Sequence, residues 1–265
     1  MPLMILRSFV RLKMLLIQIF KQLNLVLFQT IESFTISSNL IDLQDGWCLN
    51  LRKLINVIVS KDNPKYSIYD DKKIIGKSLL KADNCDSVVF CYRKVEHVTI
   101  PAFIKHLESY SFQYCNQICQ FEFTNDSELQ TIGKQTFSDS SIEKFSIPLH
   151  LKTIGECAFW HCNNLRKIDI HPDSELQTIG KQTFSDSSIE KFSIPLHLKT
   201  IGEYAFEDCE NLRKIDIHPD SELQTIGRHA FRYTLIRSLW VPTQISRIEE
   251  GAFSRCRNLQ LLFGN

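Results

Sequence analysis

The chain lacks any run of uncharged apolar residues long enough to cross a membrane. A spanning helix needs about 20 such residues. The most apolar stretch, the N-terminal MPLMILRSFVRLKMLLIQIFKQLNLVLF, is broken by Arg7, Arg11, Lys13 and Lys21. Glycine (9) and proline (8) are scarce among 265 residues, which excludes collagen-like or Gly-rich low-complexity regions as major components. Charge of one sign is lacking too. With 31 basic and 30 acidic residues the net charge is +1, and nothing in that balance argues for nucleic acid as a partner. No Gly-rich phosphate loop, acidic pair or Ser/His/Asp arrangement stands outside the repeats described below, so the sequence reads as non-enzymatic and calls for no cofactor.

What the chain has is phenylalanine (18 residues), an ordinary 43% of hydrophobic residues, and repetition. The string DSELQTIGKQTFSDSSIEKFSIPLHLKTIGE runs from Asp126 to Glu156 and again, unchanged, from Asp173 to Glu203. Extended, Ser127–Asp173 and Ser174–Asp220 agree at 43 of 47 positions, the differences being Cys157/Tyr204, Trp160/Glu207, His161/Asp208 and Asn163/Glu210. A fixed period of this length marks a solenoid. Each unit divides into turns of 23 and 24 residues, with strand starts at Val95, Ile118, Ile142, Leu165, Ile189, Leu212, Ile236 and Leu259. Identity at outward as well as inward positions points to a recent internal duplication of a two-turn unit.

One turn can be read physically. In Leu165-x-x-Ile168-x-Ile170 the apolar residues fill a core, and Lys167 and Asp169 point out. Pro148, Pro172, Pro195, Pro219 and Pro242 follow the strands, where a missing N–H ends a ladder. The Ile-Gly pairs, from Ile132-Gly133 to Ile226-Gly227, supply an apolar wall residue and then a permissive bend. Phe137, Phe159, Phe184, Phe206, Phe231 and Phe253 form an aromatic column. Single turns bury too little to be stable; stacked turns share one core.

The pattern L-x-x-I-x-I-P-x-x-L-x-x-I-G-x-x-A-F-x-x-C-x-x-L, carried here by Leu165–Ile170, Leu198–Phe206 and Cys209–Ile217, resembles the leucine-rich repeats of BspA-like surface antigens. The likeness is strong over Val95–Phe263. Residues 34–61 resemble a diverged turn, and 62–94 resemble the longer module such antigens carry between repeats. Residues 1–33 are read as a helical cap or a targeting segment, with Met14–Phe20 as a short signal-like core. The resemblance implies a right-handed leucine-rich-repeat coil of short parallel strands and irregular convex turns. It also implies a cell-surface or extracellular protein that binds proteins or glycans on host or neighbouring cells. An intracellular scaffold using the same face is the alternative.

Nine cysteines leave at least one unpaired. Cys115, Cys162, Cys209 and Cys256 recur at 47 residues and alternate with Ser140, Ser187 and Thr234. Strand spacing sets ladder cysteines two turns apart at about 10 Å, too far for a disulfide, so they read as buried small hydrophobes. A Cys85–Cys91 bridge is allowed but unsupported by the sequence. Cys157, His161 and Cys162 suggest a metal or a Cys/His nucleophile, but the next copy replaces two of the three, so a structural role is favoured. His150, His171, His197 and His218 follow the duplication. Asn125-Asp126-Ser127 is a glycosylation sequon.

The binding candidates lie on the strand face. In-register strands align Lys144, Lys167, Lys191 and Lys214 beside Ser146, Asp169, Ser193 and Asp216, a surface suited to an anionic protein or glycan. Toward the C-terminus Trp240 takes the Asp/Ser position, and Leu261 and Phe263 are expected at the two outward positions of the last strand. That apolar cluster reads either as a hot spot or, preferably, as the seat of a missing repeat or cap.

Overall fold

The structure, a computed structural model, describes residues 31–263 apart from Pro172, Pro219 and Asn258. The segment expected to form an N-terminal helical cap lies outside the described residues up to Ile31, as do two of the strand-ending prolines. Among the described residues there is no helix. The chain winds as a parallel β-solenoid, and each repeat turn contributes two strands. Lys144–Ile147 (KFSI) is one of the long strands, and Thr153–Ile154 is the short strand that follows it. Alternation along KFSI buries Phe145 and Ile147 and exposes Lys144 and Ser146. The Thr-Ile pairs, in the part of the turn expected to be irregular, form their own parallel ladder from His106–Leu107 through Thr225–Ile226 to Arg247–Ile248.

Between the two ladders runs the aromatic column. It begins one turn earlier than its spacing in the sequence suggested, at Phe112, and continues through Phe137, Phe159, Phe184, Phe206, Phe231 and Phe253. Successive rings are stacked with centroids 5.0–5.4 Å apart. The glycines of the Ile-Gly pairs have a different role from the one expected. None from Gly133 to Gly227 adopts positive φ. Each instead lies against the backbone of the turn before: a Cβ on Gly180 would sit 2.7 Å from the Gly155 carbonyl carbon. Left-handed residues come two further on, at Gln135, Cys157, Gln182, Tyr204 and His229, with Gly251 in the equivalent place of the next turn, and again four residues later at Asp139, His161, Asp186, Asp208, Tyr233 and Arg255.

The 47-residue period also appears as alternating joints between long strands. His97–Ile100 with Gln120–Phe123, Lys144–Ile147 with Lys167–Ile170, Lys191–Ile194 with Lys214–Ile217, and Ser238–Val241 with Gln260–Phe263 each pair at four positions. Between these blocks pairing fails or shrinks to Lys167↔Lys191. The cause is legible in chain length. Ile147 is six residues before Thr153, whereas Ile170 is eight before Thr178. The longer loop frees the second strand's end, leaving Ile170 and Ile217 partly buried while Ile147 and Ile194 are buried. The first strand's loop is clamped across the block by Glu175 N–H to Leu149 O (2.9 Å) and His150 Nδ1 to Glu175 Oε1 (2.9 Å), repeated at Leu196, His197 and Glu222.

At the N-terminal end Ser33–Ile36 and Asn56–Val59 pair in parallel. Tyr66–Tyr69, Lys73–Gly76 and Ser87–Cys91 then form an antiparallel unit, and its last strand joins the short-strand ladder at His106–Leu107. This end has its own core around Trp47, Leu54, Tyr66 and Phe90, beside the main core of the repeats.

Candidate functional site

The long strands hold their outward side chains in columns, and the lysine stripe is not four free charges. Asp169 accepts from Lys144 (2.9 Å) on the preceding strand and Lys167 (2.9 Å) on its own, and Asp216 does the same with Lys191 (2.8 Å) and Lys214 (2.9 Å). The Lys144 hydrogen bond, helped by the Lys167 contact and opposed by burial, holds the Asp169 carboxyl below its usual range. At Asp216 burial pushes the other way but is outweighed by the two lysines. Each block therefore presents a Lys-Asp-Lys cluster with one excess positive charge, next to Ser146 or Ser193. These pairs are exposed and add little to stability, so their ordered geometry matters for what the surface can meet.

The open joints add relief to this face. Where Gln120–Phe123 fails to pair with Lys144–Ile147, a groove of about 590 Å³ opens. Phe121, Phe123, Pro148 and Leu149 give it apolar walls, and Glu122, Asp126, Glu128 and His150 are at its rim. Exposed Asn125 of the sequon lies between two lining residues, Thr124 and Asp126. A second hollow of about 490 Å³, by Ile55, Tyr92, Lys72, Lys94 and His97, marks the N-terminal side of the same face. The step of six against eight residues after alternate strands was the signal for these joints.

At the other end Trp240 is 36% exposed, as its outward position requires. The last strand departs from the expected register. Ser238 faces Gln260 and Trp240 faces Leu262, so Leu262 (54% exposed) extends the tryptophan, while Phe263 (69% exposed) is opposite Val241. A one-residue slip exchanges the two faces of a strand. Here no further strand among the described residues packs on Gln260–Phe263 to enforce the repeat's register, and all four of its residues are exposed.

The cysteine-histidine segment does not converge. Cys162 is buried and donates to Phe137 O (3.1 Å), half-buried Cys157 is near Gln182 Oε1, and His161 lies between Asp139 (3.6 Å) and Asp186 (3.3 Å) under the Trp160 ring. No group of His, Cys, Asp and Glu that could hold a metal occurs among the described residues. Burial pushes the Cys162 and Cys209 thiols up to about 12, as befits inert core groups. Cys85 and Cys91 are not bridged: both are free thiols, Cys85 beside Ser67 Oγ and Lys65 O, and Cys91 fully buried. Cys119 is the exposed cysteine, with Sγ 3.7 Å from His97 Nδ1.

Among solved structures, the chain is similar to a leucine-rich repeat protein from Eubacterium ventriosum. The TM-score is 0.72 at 20% identity, over 85% of this chain and 59% of that one. It is also similar to a leucine-rich repeat protein from Bacteroides ovatus, with a TM-score of 0.50 at 18% identity over 76% and 62%. The chain thus spans about three fifths of the length of these proteins, and at such identities the likeness concerns the fold alone. No curated protein matches it. The sequence profile of the BspA type leucine-rich repeat region matches in six copies, over residues 83–192 and 130–260, which together make up more than half of the chain. On that evidence the chain belongs to the BspA-type leucine-rich repeat family.

Proposed function

We propose that this protein is a recognition module that docks a protein partner on its long-strand face, and that it does so at a cell surface in adhesion to host or neighbouring cells. Leucine-rich repeat proteins bind proteins, and no helix among the described residues is long and apolar enough to cross a membrane. The observation that carries the reading is the strand face itself. Two Lys-Asp-Lys clusters are held in register at 2.8–2.9 Å, between an apolar groove with an acidic rim and the Trp240–Leu262 patch. Ordered charges set orientation and on-rate, while a buried aromatic supplies affinity. The groove's walls suit an apolar anchor side chain, and the lysine clusters suit carboxylate or sulfate groups beside it.

The test has two parts. Intact cells that make the protein are labelled with a membrane-impermeant amine reagent, for which Lys144, Lys167, Lys191 and Lys214 are exposed targets. Labelling confined to lysed cells would exclude the surface and favour an intracellular scaffold. Beads coated with purified protein are then scored for attachment to epithelial cells. Lys144→Glu with Lys191→Glu, and separately Trp240→Ala, should reduce attachment at least about fivefold. Unchanged attachment for both would exclude the strand face.

A further inference from the structure

The long-strand face changes sign along its length. In two of its blocks a pair of lysines meets one aspartate: Lys144 and Lys167 with Asp169, then Lys191 and Lys214 with Asp216. In the preceding block the same places are held by His97, Gln120 and Glu122. Glu122 Oε1 accepts from Gln120 Nε2 (2.7 Å). Neither Glu122 nor exposed Asp126 is in an ion pair among the described residues, while Glu128 meets Lys105 at 3.4 Å. These carboxylates stand at the rim of the 590 Å³ groove. The groove has aromatic walls where later joints are aliphatic, since Phe121 and Phe123 take the places of Ile168 and Ile170, and of Ile215 and Ile217. Phe121 packs edge-on against the spine at Phe112 (5.3 Å) and Phe137 (5.0 Å), and half-buried Phe123 packs edge-on against Phe145 (5.6 Å). On the opposite wall Leu149 is 39% exposed, and its carbonyl is fixed by Glu175 N–H (2.9 Å). The apolar hollow therefore lies between unpaired negative charge on one side and clusters with excess positive charge on the other.

We propose that this face reads an extended segment of a partner protein in which a basic residue, a large apolar residue and two acidic residues follow one another along the solenoid. The proposal rests on the strand-face reading above and specifies its partner. Charge complementarity sets the order. The basic residue meets Glu122 and Asp126, the apolar side chain enters between Phe123 and Leu149, and the acidic residues meet the two lysine pairs. Each Lys-Asp-Lys cluster has one positive charge in excess, enough for one carboxylate. The spacing follows from the strands. Neighbouring strands are about 4.8 Å apart, and an extended chain advances about 3.3 Å per residue. The first cluster, centred between its two strands, is then about two residues from Glu122, and the second cluster, two strands further on, about three residues beyond the first. The segment reads basic–apolar–acidic–x–x–acidic, in either chain direction. A sulfated glycan, anionic throughout, would be repelled at Glu122 and Asp126 and would leave the apolar groove unused, so the face favours a protein segment.

The test pans immobilised full-length protein with a random peptide display library. Selected peptides should share the basic–apolar–acidic–x–x–acidic order. By fluorescence anisotropy, a synthetic copy of the most frequent one should bind at least about tenfold more tightly than a version with its charges exchanged. Glu122→Lys, a change at an exposed strand position, should weaken that peptide at least about fivefold, and a peptide whose basic residue is replaced by glutamate should regain the loss. Leu149→Ser should weaken both peptides. Selection of acidic peptides without the basic and apolar positions, displaced by heparin, would overturn the proposal in favour of a polyanion. Selection of no shared order, or unchanged affinity in Glu122→Lys, would overturn it as well. Cell attachment judges the strand-face reading separately. If Lys144→Glu with Lys191→Glu lowers attachment while Glu122→Lys and Leu149→Ser do not, the face stands and the groove's role falls. If none of these variants nor Trp240→Ala lowers it, the strand-face reading falls with the proposal.

Discussion

Replacing Gly202 by alanine adds a methyl group where the preceding turn leaves no space. The new carbon would lie 2.5 Å from Gly180 C, 2.6 Å from Gly180 O and 2.7 Å from Lys181 N. Carbon atoms rest comfortably at about 3.5–4.0 Å, so the two turns must part by about 1 Å. They are held there by Gly202 N–H to Ile179 O (2.9 Å) and Gln182 N–H to Glu203 O (2.8 Å), beside the Thr178↔Thr200 and Ile179↔Ile201 pairs. A separation of that size takes both bonds out of range. With buried groups left short of partners, the loss comes to about 2–4 kcal/mol. For a chain of this size that lowers Tm by roughly 5–15 °C. If the glycine served only to loosen a bend, the sign would reverse. Gly202 does not have positive φ, and alanine would then stabilise by about 0.4–1 kcal/mol through the unfolded state. Thermal melts of Gly202→Ala, with Ser193→Ala on the exposed strand face as reference, distinguish the two. A Gly202→Ala protein that melts at or above the parent refutes close packing as the reason for the glycine column.

Phe184→Ala removes a fully buried ring stacked between Phe159 (5.3 Å) and Phe206 (5.2 Å), for a loss of about 3–5 kcal/mol. Phe253→Ala, partly buried at the end of the column against Phe231, should cost less than half as much, and equal shifts in urea midpoint would contradict a nearest-neighbour spine. Asp169→Asn with Asp216→Asn should change stability by less than about 1 kcal/mol because the lysine pairs are exposed, yet delay elution from a cation exchanger; unchanged elution would mean the carboxylates do not mask the lysines. Since the lysines hold both carboxyls low, any stability they add is present above the ordinary carboxylate range and is lost as pH falls through the lowered values, and the double variant should lack that acid-side loss. Asp208 is the opposite case. Burial and the neighbouring Asp186 raise its carboxyl, so the folded chain loses stability as pH rises through that range. Asp208→Asn should therefore gain on the parent at pH 7 and not at pH 4, as read from urea midpoints at the two values.

The sequence by itself determined the repeat, its length and its inside. Spacing of Leu, Ile and Phe sets which residues point inward, because a buried column must recur at the same place in every turn or leave a void. That is why Phe137 to Phe253, the cysteine ladder and the outward Lys and Asp columns were all legible before any coordinates. Pairings across turns were not. That Asp169 serves Lys144 and Lys167 together, that Gly202 rests on Gly180, and that Thr-Ile pairs form a second ladder are facts about distances between neighbouring turns, which a linear pattern does not contain. The open joints sat between these cases, since the loop lengths were visible but their effect on strand pairing was not. Register at Phe263 and the company of Arg93 were decided by tertiary structure alone. At the last strand no following turn among the described residues enforces the pattern, and at Arg93 the first repeat brings the Tyr110 and Ser111 carbonyls and the Cys115 sulfur to one buried charge.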